Sequence, residues 1–489
     1  LPFPTIKMKI KKRVYYSKRK PVLQFWLCFL IVNVSYSSFV NGGGNKTDIS
    51  NKNEPPNIVF LFADDAGYGD FGFQGSKNFD TPNLDRLAEK SVKFTQAYTT
   101  AAVCGPSRAG LMTGRYQQRF GVEENNVPSA MSSAGLTGED MGLPLEQKTI
   151  ADYLKNEGYR TAYLGKWHLG GADRFHPLKR GFDEFYGFRG GARSYFAYET
   201  PPKDSLRRME RGFRNFTEHE GYLTDVLADE ALSFIDQNKD NPFFLFLSFN
   251  AVHTPMHYLN EDLPRKSRIQ REHRQQLYAM TKAMDRACGQ ILDKLDDLKL
   301  TGNTLIIFTN DNGGAWINYS SNEPLSGVKG THLEGGIRVP FLLSMGDHFA
   351  GGTNYDHPIS TMDLLPTFVD VAGGNVNELE NIDGVSLIPF LDGTKNGSPH
   401  ETLYWKKETR AAIREGDWKL IRLPDRPALL YDLSNDLSEQ IDLSQKHPKK
   451  VKKLYKKLFD WEVTLKRPIW MTRRTNSKQA MKIFDKYKK

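Results

Sequence analysis

Cysteine is scarce in this sequence: 489 residues contain three, at positions 28, 104 and 288. That excludes a disulfide-built scaffold and a cysteine-rich zinc module. A long apolar run is missing as well, since Val22–Val32 (VLQFWLCFLIV) is too short to span a bilayer comfortably. Acidic residues are absent from positions 1–20, which hold eight Lys or Arg. A basic start, an apolar run and then small polar residues through Ser38 follow the order of a secretory signal. Residues 1–38 are therefore expected to be a signal peptide region, and the product soluble and exported, with no stable membrane insertion. Cys28 follows Trp26-Leu27, a poor context for lipid attachment. Once the signal is removed only Cys104 and Cys288 remain, and secreted animal enzymes of this size usually carry several disulfides. The expected origin is bacterial, periplasmic or secreted.

The net charge of +9 suggests nucleic-acid binding until the charges are placed. Residues 446–489 hold sixteen Lys or Arg against three acids. With that surplus and the eight N-terminal cations set aside, residues 21–445 carry about −12, so no nucleic acid is expected as a partner. The Lys-rich final helix reads as a solvated face.

Residues 39–55 are polar and Gly/Asn-rich, a linker. Asn57–Ala63 (NIVFLFA) is continuously apolar, as in a strand buried on both faces of a parallel sheet. Helix and apolar strand then alternate: helix Asn83–Ser91, helix Thr149–Glu157 before strand Arg160–Leu164, helix Leu223–Asp236 before strand Phe243–Phe249, and helix Glu272–Leu298 before strand Thr304–Thr309. This pattern predicts an α/β sandwich around a mostly parallel central sheet, spanning residues 56–395. Residues 396–489 are expected to form a small C-terminal α+β subdomain. It would contain short strands at Arg410–Arg414, Trp418–Arg422 and Leu429–Asp432, and a helix at Lys449–Leu465. Cys288 shares one helical face with Met280, Met284, Ile291 and Leu295, and is read as a core thiol.

Two acidic pairs stand where such a sheet binds ligands, beyond the carboxyl ends of strands. Asp64 and Asp65 follow the first strand, and Asp311 and Asn312 follow Thr304–Thr309. Three carboxylates and an amide make an oxygen-only set that selects a hard cation, Ca²⁺ more readily than Mg²⁺. Cys104 begins Cys104-Gly105-Pro106-Ser107-Arg108, and Pro106 suits the first turn of a helix. A thiol near a helix N-terminus is a low-pKa nucleophile or a structural residue.

Cys104, Pro106, Arg108 and Thr113-Gly114-Arg115 together resemble the maturation signature of the formylglycine-dependent sulfatases of the alkaline phosphatase superfamily. Gly165-Lys166-Trp167-His168, His253-Thr254-Pro255, Lys329, and Glu334-Gly335-Gly336-Ile337-Arg338 are similar to further elements of that family, in the same order. The resemblance implies an alkaline-phosphatase-like fold and conversion of Cys104 to formylglycine (3-oxoalanine) by a formylglycine-generating maturation enzyme. It implies Ca²⁺ on Asp64, Asp65, Asp311 and Asn312, with Lys166, His168, His253 and Lys329 around the sulfate. Arg108 would orient the nucleophile, His168 would act as base, and His253 or Lys329 would protonate the leaving oxygen. The implied activity is a sulfatase, with a formylglycine-dependent phosphodiester or phosphonate monoester hydrolase as the alternative. A sulfated carbohydrate, an algal glycan such as carrageenan or ulvan, is the expected substrate, because bacterial polysaccharide sulfatases look most similar. Arg189, Arg193 and Trp316 lie in loops beside these elements and are expected to contact it.

Overall fold

A computed structural model describes residues 55–127, 131–265, 269–346, 348–472 and 474–488. The expected signal region and all but the last residue of the expected linker lie outside the described residues. Nine strands form one mixed sheet: β1 (Asn57–Ala63), β2 (Val92–Phe94), β3 (Arg160–Lys166), β4 (Glu184–Phe188), β5 (Glu210–Arg211), β6 (Phe243–Ser248), β7 (Thr304–Asn310), β8 (Phe341–Met345) and β9 (Thr353–Tyr355). They lie in the order β9-β2-β8-β7-β1-β6-β3-β4-β5. The central run β7-β1-β6-β3-β4 is parallel throughout. β8 is antiparallel to both neighbours and turns the sheet toward its edge.

β1 is buried along its whole length, and alternation divides its side chains between the two faces. Ile58, Phe60 and Phe62 join one cluster with Phe244, Phe246 and Ile307. Val59, Leu61 and Ala63 join the other with Leu245, Leu247 and Phe308. Helices cover both faces, which is why these strands read as continuous apolar runs. On one face lie α1 (Pro82–Glu89), α4 (Leu223–Asn238) and α5 (Glu272–Asp297); on the other lie α2 (Cys104–Thr113), α3 (Ile150–Asn156) and α6 (Leu364–Val371). Thr149 begins α3 with a reciprocal cap: its hydroxyl accepts from Asp152 N while Asp152 accepts from Thr149 N. Cys288 is fully buried in α5 with Met280, Met284, Ile291 and Leu295, as the helical spacing predicts.

Four antiparallel strands make the C-terminal sheet in sequence order: β10 (Thr402–Lys407), β11 (Arg410–Glu415), β12 (Trp418–Leu423) and β13 (Arg426–Asp432). α7 (Pro448–Glu462) packs Leu454, Leu458 and Trp461 into its core, and the chain ends in α8 (Arg474–Tyr487). A mostly parallel central sheet with helices on both faces and a smaller antiparallel C-terminal sheet is the architecture expected from the sequence. α6, α8 and β8 were not among the predicted elements. Among the described residues, no helix is long and apolar enough to cross a membrane.

Candidate active site at the carboxyl edge of the sheet

The parallel strands release their chain at one edge, and residues far apart in sequence meet there. Asp64 and Asp65 follow β1, Asp311 and Asn312 follow β7, Lys166 ends β3 with His168 two residues on, and His253 lies beyond β6. Cys104 is the first residue of α2 and is 1% exposed. Its Sγ lies 2.9 Å from Lys329 Nζ, 3.7 Å from Asp64 Oδ1 and 3.8 Å from Asp65 Oδ1.

The charges alternate. Lys329 Nζ is 2.7 Å from Asp65 Oδ1, and Lys166 Nζ is 2.5 Å from Asp64 Oδ2. Arg108 lies one turn along α2 from Cys104, and its Nε is 3.0 Å from Asp311 Oδ2. Its Nη1 donates to Lys166 O at 2.9 Å and to Ser248 Oγ at 2.7 Å. Arg108 therefore ties a carboxylate to two strand ends. His253 Nε2 stands 3.5 Å from Asp65 Oδ2, while its Nδ1 lies 2.7 Å from Thr254 O.

The donor set fits a cation. One ligand atom each from Asp64, Asp65, Cys104 and Asp311 lie within 4.8 Å of one another, all buried. Asn312 donates Nδ2 to Asp65 Oδ1 at 2.8 Å, leaving its own buried Oδ1 without a partner among the described residues. A buried acceptor without a donor beside three carboxylates is costly unless a cation completes the group. Burial pushes the Asp64 carboxyl up to about 8, with repulsion from Asp311 and Asp65 adding to it against Lys166. Burial and then Asp311 also push the Cys104 thiol well above its ordinary value, despite Lys166 and Lys329. As a plain thiol, Cys104 is thus not the low-pKa nucleophile that its helix terminus alone suggests.

Burial and the cations Lys166, Arg108 and Lys329 hold the His168 imidazole well below its usual range, and His253 falls to about 4, chiefly by burial. Asp65 and His168 both have φ of 60°, a conformation that non-glycine residues adopt at a cost and that concentrates at functional sites. A Cβ at Gly191 would stand 2.6 Å from His168 Nε2, so that glycine leaves room for the ring. Trp167, between Lys166 and His168, is fully buried and donates its indole N–H to Phe175 O.

The three residues expected to touch substrate have other partners. Arg189 is held by Glu210 at 2.7 Å and Asp173 at 2.8 Å, and Arg193 by Glu218 at 2.8 Å. Both guanidiniums answer the protein's own carboxylates. Trp316 is 38% exposed and stacks on Tyr487 of α8, with the Lys486 ammonium over its ring.

The sequence reading missed the residues that brace the site. The Tyr195 hydroxyl lies 2.6 Å from Asn250 O and 2.8 Å from His253 O, gripping the loop that carries His253. Asn318 donates to Asp65 O at 3.0 Å and Val252 O at 2.9 Å. Asn125 Oδ1 accepts from Gly105 N at 2.8 Å, beside Cys104. Nothing local marks such residues, because each acts on backbone remote in sequence.

The pattern of the Sulfatase family matches residues 56–374, and that of the N-sulphoglucosamine sulphohydrolase C-terminal region matches residues 329–464. Human N-acetylgalactosamine-6-sulfatase is 34% identical over 385 residues, covering 75% of this chain and 71% of that protein. Human arylsulfatase H is 30% identical over 507 residues, covering 80% of this chain and 88% of that one. Among solved structures, Ps i-CgsB superposes with a TM-score of 0.80 at 36% identity, over 89% of this chain and 100% of that one. Ps i-CgsB in complex with k-i-k-neocarrahexaose gives a TM-score of 0.79 at 35% identity, over 88% of this chain and 98% of that one. By the family match across most of its length and by these relatives, the chain belongs to the sulfatase family and is a sulfuric ester hydrolase.

Proposed function

We propose that this chain is an exported, calcium-dependent sulfatase that removes sulfate esters from a sulfated polysaccharide or oligosaccharide, with formylglycine made from Cys104 as its nucleophile. The observation that carries this reading is the placement of Cys104. It sits at the N-terminus of α2, 2.9 Å from Lys329 Nζ and beside Asp64 and Asp65. A carrageenan-type glycan is favoured as substrate, because a neighbour 35% identical was solved with k-i-k-neocarrahexaose. Export rests on the basic, apolar and small-residue order of residues 1–38.

Sulfate transfer needs neutralised equatorial oxygens, a placed nucleophile and a proton for the leaving alkoxide. Asp64, Asp65, Asp311 and Asn312 would hold the calcium ion, which supplies Lewis-acid polarisation of a sulfate oxygen. A hydrated aldehyde at position 104 supplies a hydroxyl nucleophile and a second hydroxyl through which sulfate is expelled. Lys166 and Lys329 present ammonium groups to the sulfate oxygens. His253 or Lys329, both against Asp65, gives the proton to the leaving oxygen, and His168 takes one when sulfate is expelled. Arg108 keeps Asp311 and the end of β3 in register.

The test is sulfate release by ion chromatography, with protein coexpressed with a maturation enzyme and a panel of sulfated oligosaccharides. Mass spectrometry of the Cys104 peptide accompanies it. Release from a panel member is expected. An intact aldehyde with preferential hydrolysis of phosphodiesters or phosphonate monoesters, read as release of the alcohol, would transfer the reading to the phospho-hydrolase alternative.

A further inference from the structure

The C-terminal sheet brings a guanidinium against the catalytic loop. Arg410, the first residue of β11, is 8% exposed, and its Nη1 donates to Gly330 O at 2.8 Å. Gly330 directly follows Lys329, whose ammonium touches Cys104 Sγ. His332, two residues further on, is 4% exposed.

This arginine differs from the other buried arginines. Arg414 donates to Gly416 O, the Tyr98 hydroxyl and Gln96 Oε1, and Arg108, Arg189, Arg193 and Arg338 each have a carboxylate within 3.3 Å. Arg180 has none, but its guanidinium donates to three carbonyls, those of Leu143, Pro144 and Gln147. Among the described residues the Arg410 guanidinium has one hydrogen bond and no ion pair. The acids whose field reaches it, Glu124 and Glu408, have other partners: Glu124 pairs with Lys407 at 2.7 Å and Glu408 accepts from Thr472 N at 3.0 Å. Burial consequently lowers the proton affinity of Arg410. His332 beside it is held well below its usual range by burial first and then by Arg410, ahead of Lys419, Lys407 and Arg422. A buried cation without a counter-ion is costly, and a guanidinium with open donors matches the planar oxygen pairs of sulfate and carboxylate.

We propose that Arg410, with His332, forms a second anion subsite beside the scissile-sulfate site, which takes a further sulfate or carboxylate carried by the same glycan. This rests on the polyanionic substrate proposed above and deepens it: the preferred substrate carries at least two anionic groups near each other. The C-terminal subdomain thereby takes part in choosing the substrate, while the large sheet carries the chemistry.

The experiment compares wild type, Arg410→Gln and Arg410→Lys on two probes, k-i-k-neocarrahexaose and 4-nitrophenyl sulfate, which has a single anionic group. The ratio of kcat/KM for the hexaose to that for the aryl sulfate is expected to fall about tenfold or more in Arg410→Gln, the scale of a charge-assisted hydrogen bond. The loss should appear mainly in KM, and Arg410→Lys should lose less. Equal losses on both probes, as a mere prop for Gly330 would give, overturn the subsite. Dextran sulfate and polygalacturonate serve as inhibitors of aryl sulfate turnover. A weaker Ki in Arg410→Gln for the first assigns sulfate, for the second carboxylate, and an unchanged Ki for both overturns the proposal. Wild type that turns over the aryl sulfate and no glycan sinks the substrate reading alone, with the inhibition constants still deciding Arg410. Melting curves accompany each variant, and Arg410→Lys, which keeps a donor for Gly330 O, decides if the glutamine variant does not fold.

Discussion

Lys329 Nζ lies 2.9 Å from Cys104 Sγ and 2.7 Å from Asp65 Oδ1, so one ammonium links the thiol to the carboxylate group. Those residues come from a loop beyond β7, the first turn of α2 and the end of β1, and the fold alone brings them together.

Replacing Lys329 with Met should therefore act on turnover more than on binding. A preorganised cationic donor at the reacting group is worth about 10²–10³ in kcat. Steady-state kinetics on 4-nitrophenyl sulfate checks this, and a variant within threefold of wild type would remove Lys329 from the mechanism.

Metal removal should inactivate the enzyme and lower its melting temperature, with Ca²⁺ restoring both better than Mg²⁺. Asp311→Ala should lose bound calcium and activity together. It also strips Arg108 of its partner at 3.0 Å, and breaking a buried pair costs about 3–5 kcal/mol. Elemental analysis with thermal melting tests both, and unchanged metal content would refute the assigned ligands.

Tyr195→Phe removes the hydroxyl that holds the carbonyls of Asn250 and His253. Asn250 O keeps its bond from His253 N at 2.9 Å, so the loss falls on His253 O; an unpaired buried acceptor costs about 1–3 kcal/mol, and the loop that would shift carries His253. The expected result is a fall of about tenfold in kcat with a smaller change in KM. A variant that melts earlier yet turns over normally would make Tyr195 purely structural.

His400 Nε2 lies 2.7 Å from Asp363 Oδ1, which also accepts from Val385 N at 3.0 Å. Burial opposes the charged imidazole, but the Asp363 carboxylate outweighs it and raises the His400 pKa above 6.5. The folded state then binds the proton more tightly than the unfolded one. The resulting stability is full below pH 6.5 and is lost as pH rises through the raised value. A tenfold change in proton affinity corresponds to about 1.4 kcal/mol. Melting temperatures at pH 5.5 and pH 9 should differ less in His400→Gln than in wild type; an equal difference would show that another group dominates.

Much of the architecture could be read from local pattern. NIVFLFA is apolar after its first residue because β1 is buried on both faces, and the predicted strands Phe243–Phe249 and Thr304–Thr309 each differ from the observed one by one residue. β8 was missed because Phe341–Met345 follows the Gly-rich Glu334–Ile337 turn, with no long helix before it to signal a βα unit. The candidate site was legible in two ways: the paired acids stand at strand ends where ligands bind, and Cys-x-Pro-x-Arg resembles a family signature.

By itself the sequence determined the layered sheet, the edge where ligands bind and the residue types gathered there, because burial and strand polarity act over short stretches of chain. The tertiary structure alone decided which charges are paired. Lys329 reaches Asp65 across 264 positions and Arg108 reaches Asp311 across 203. Arg189 and Arg193 turned to Glu210 and Glu218, whereas Arg410, unremarkable in sequence, came to rest beside the catalytic loop with one backbone bond. An arginine in a loop is the same residue whether its partner is a carboxylate of its own chain or one on a substrate. Only the distances set by folding separate the two.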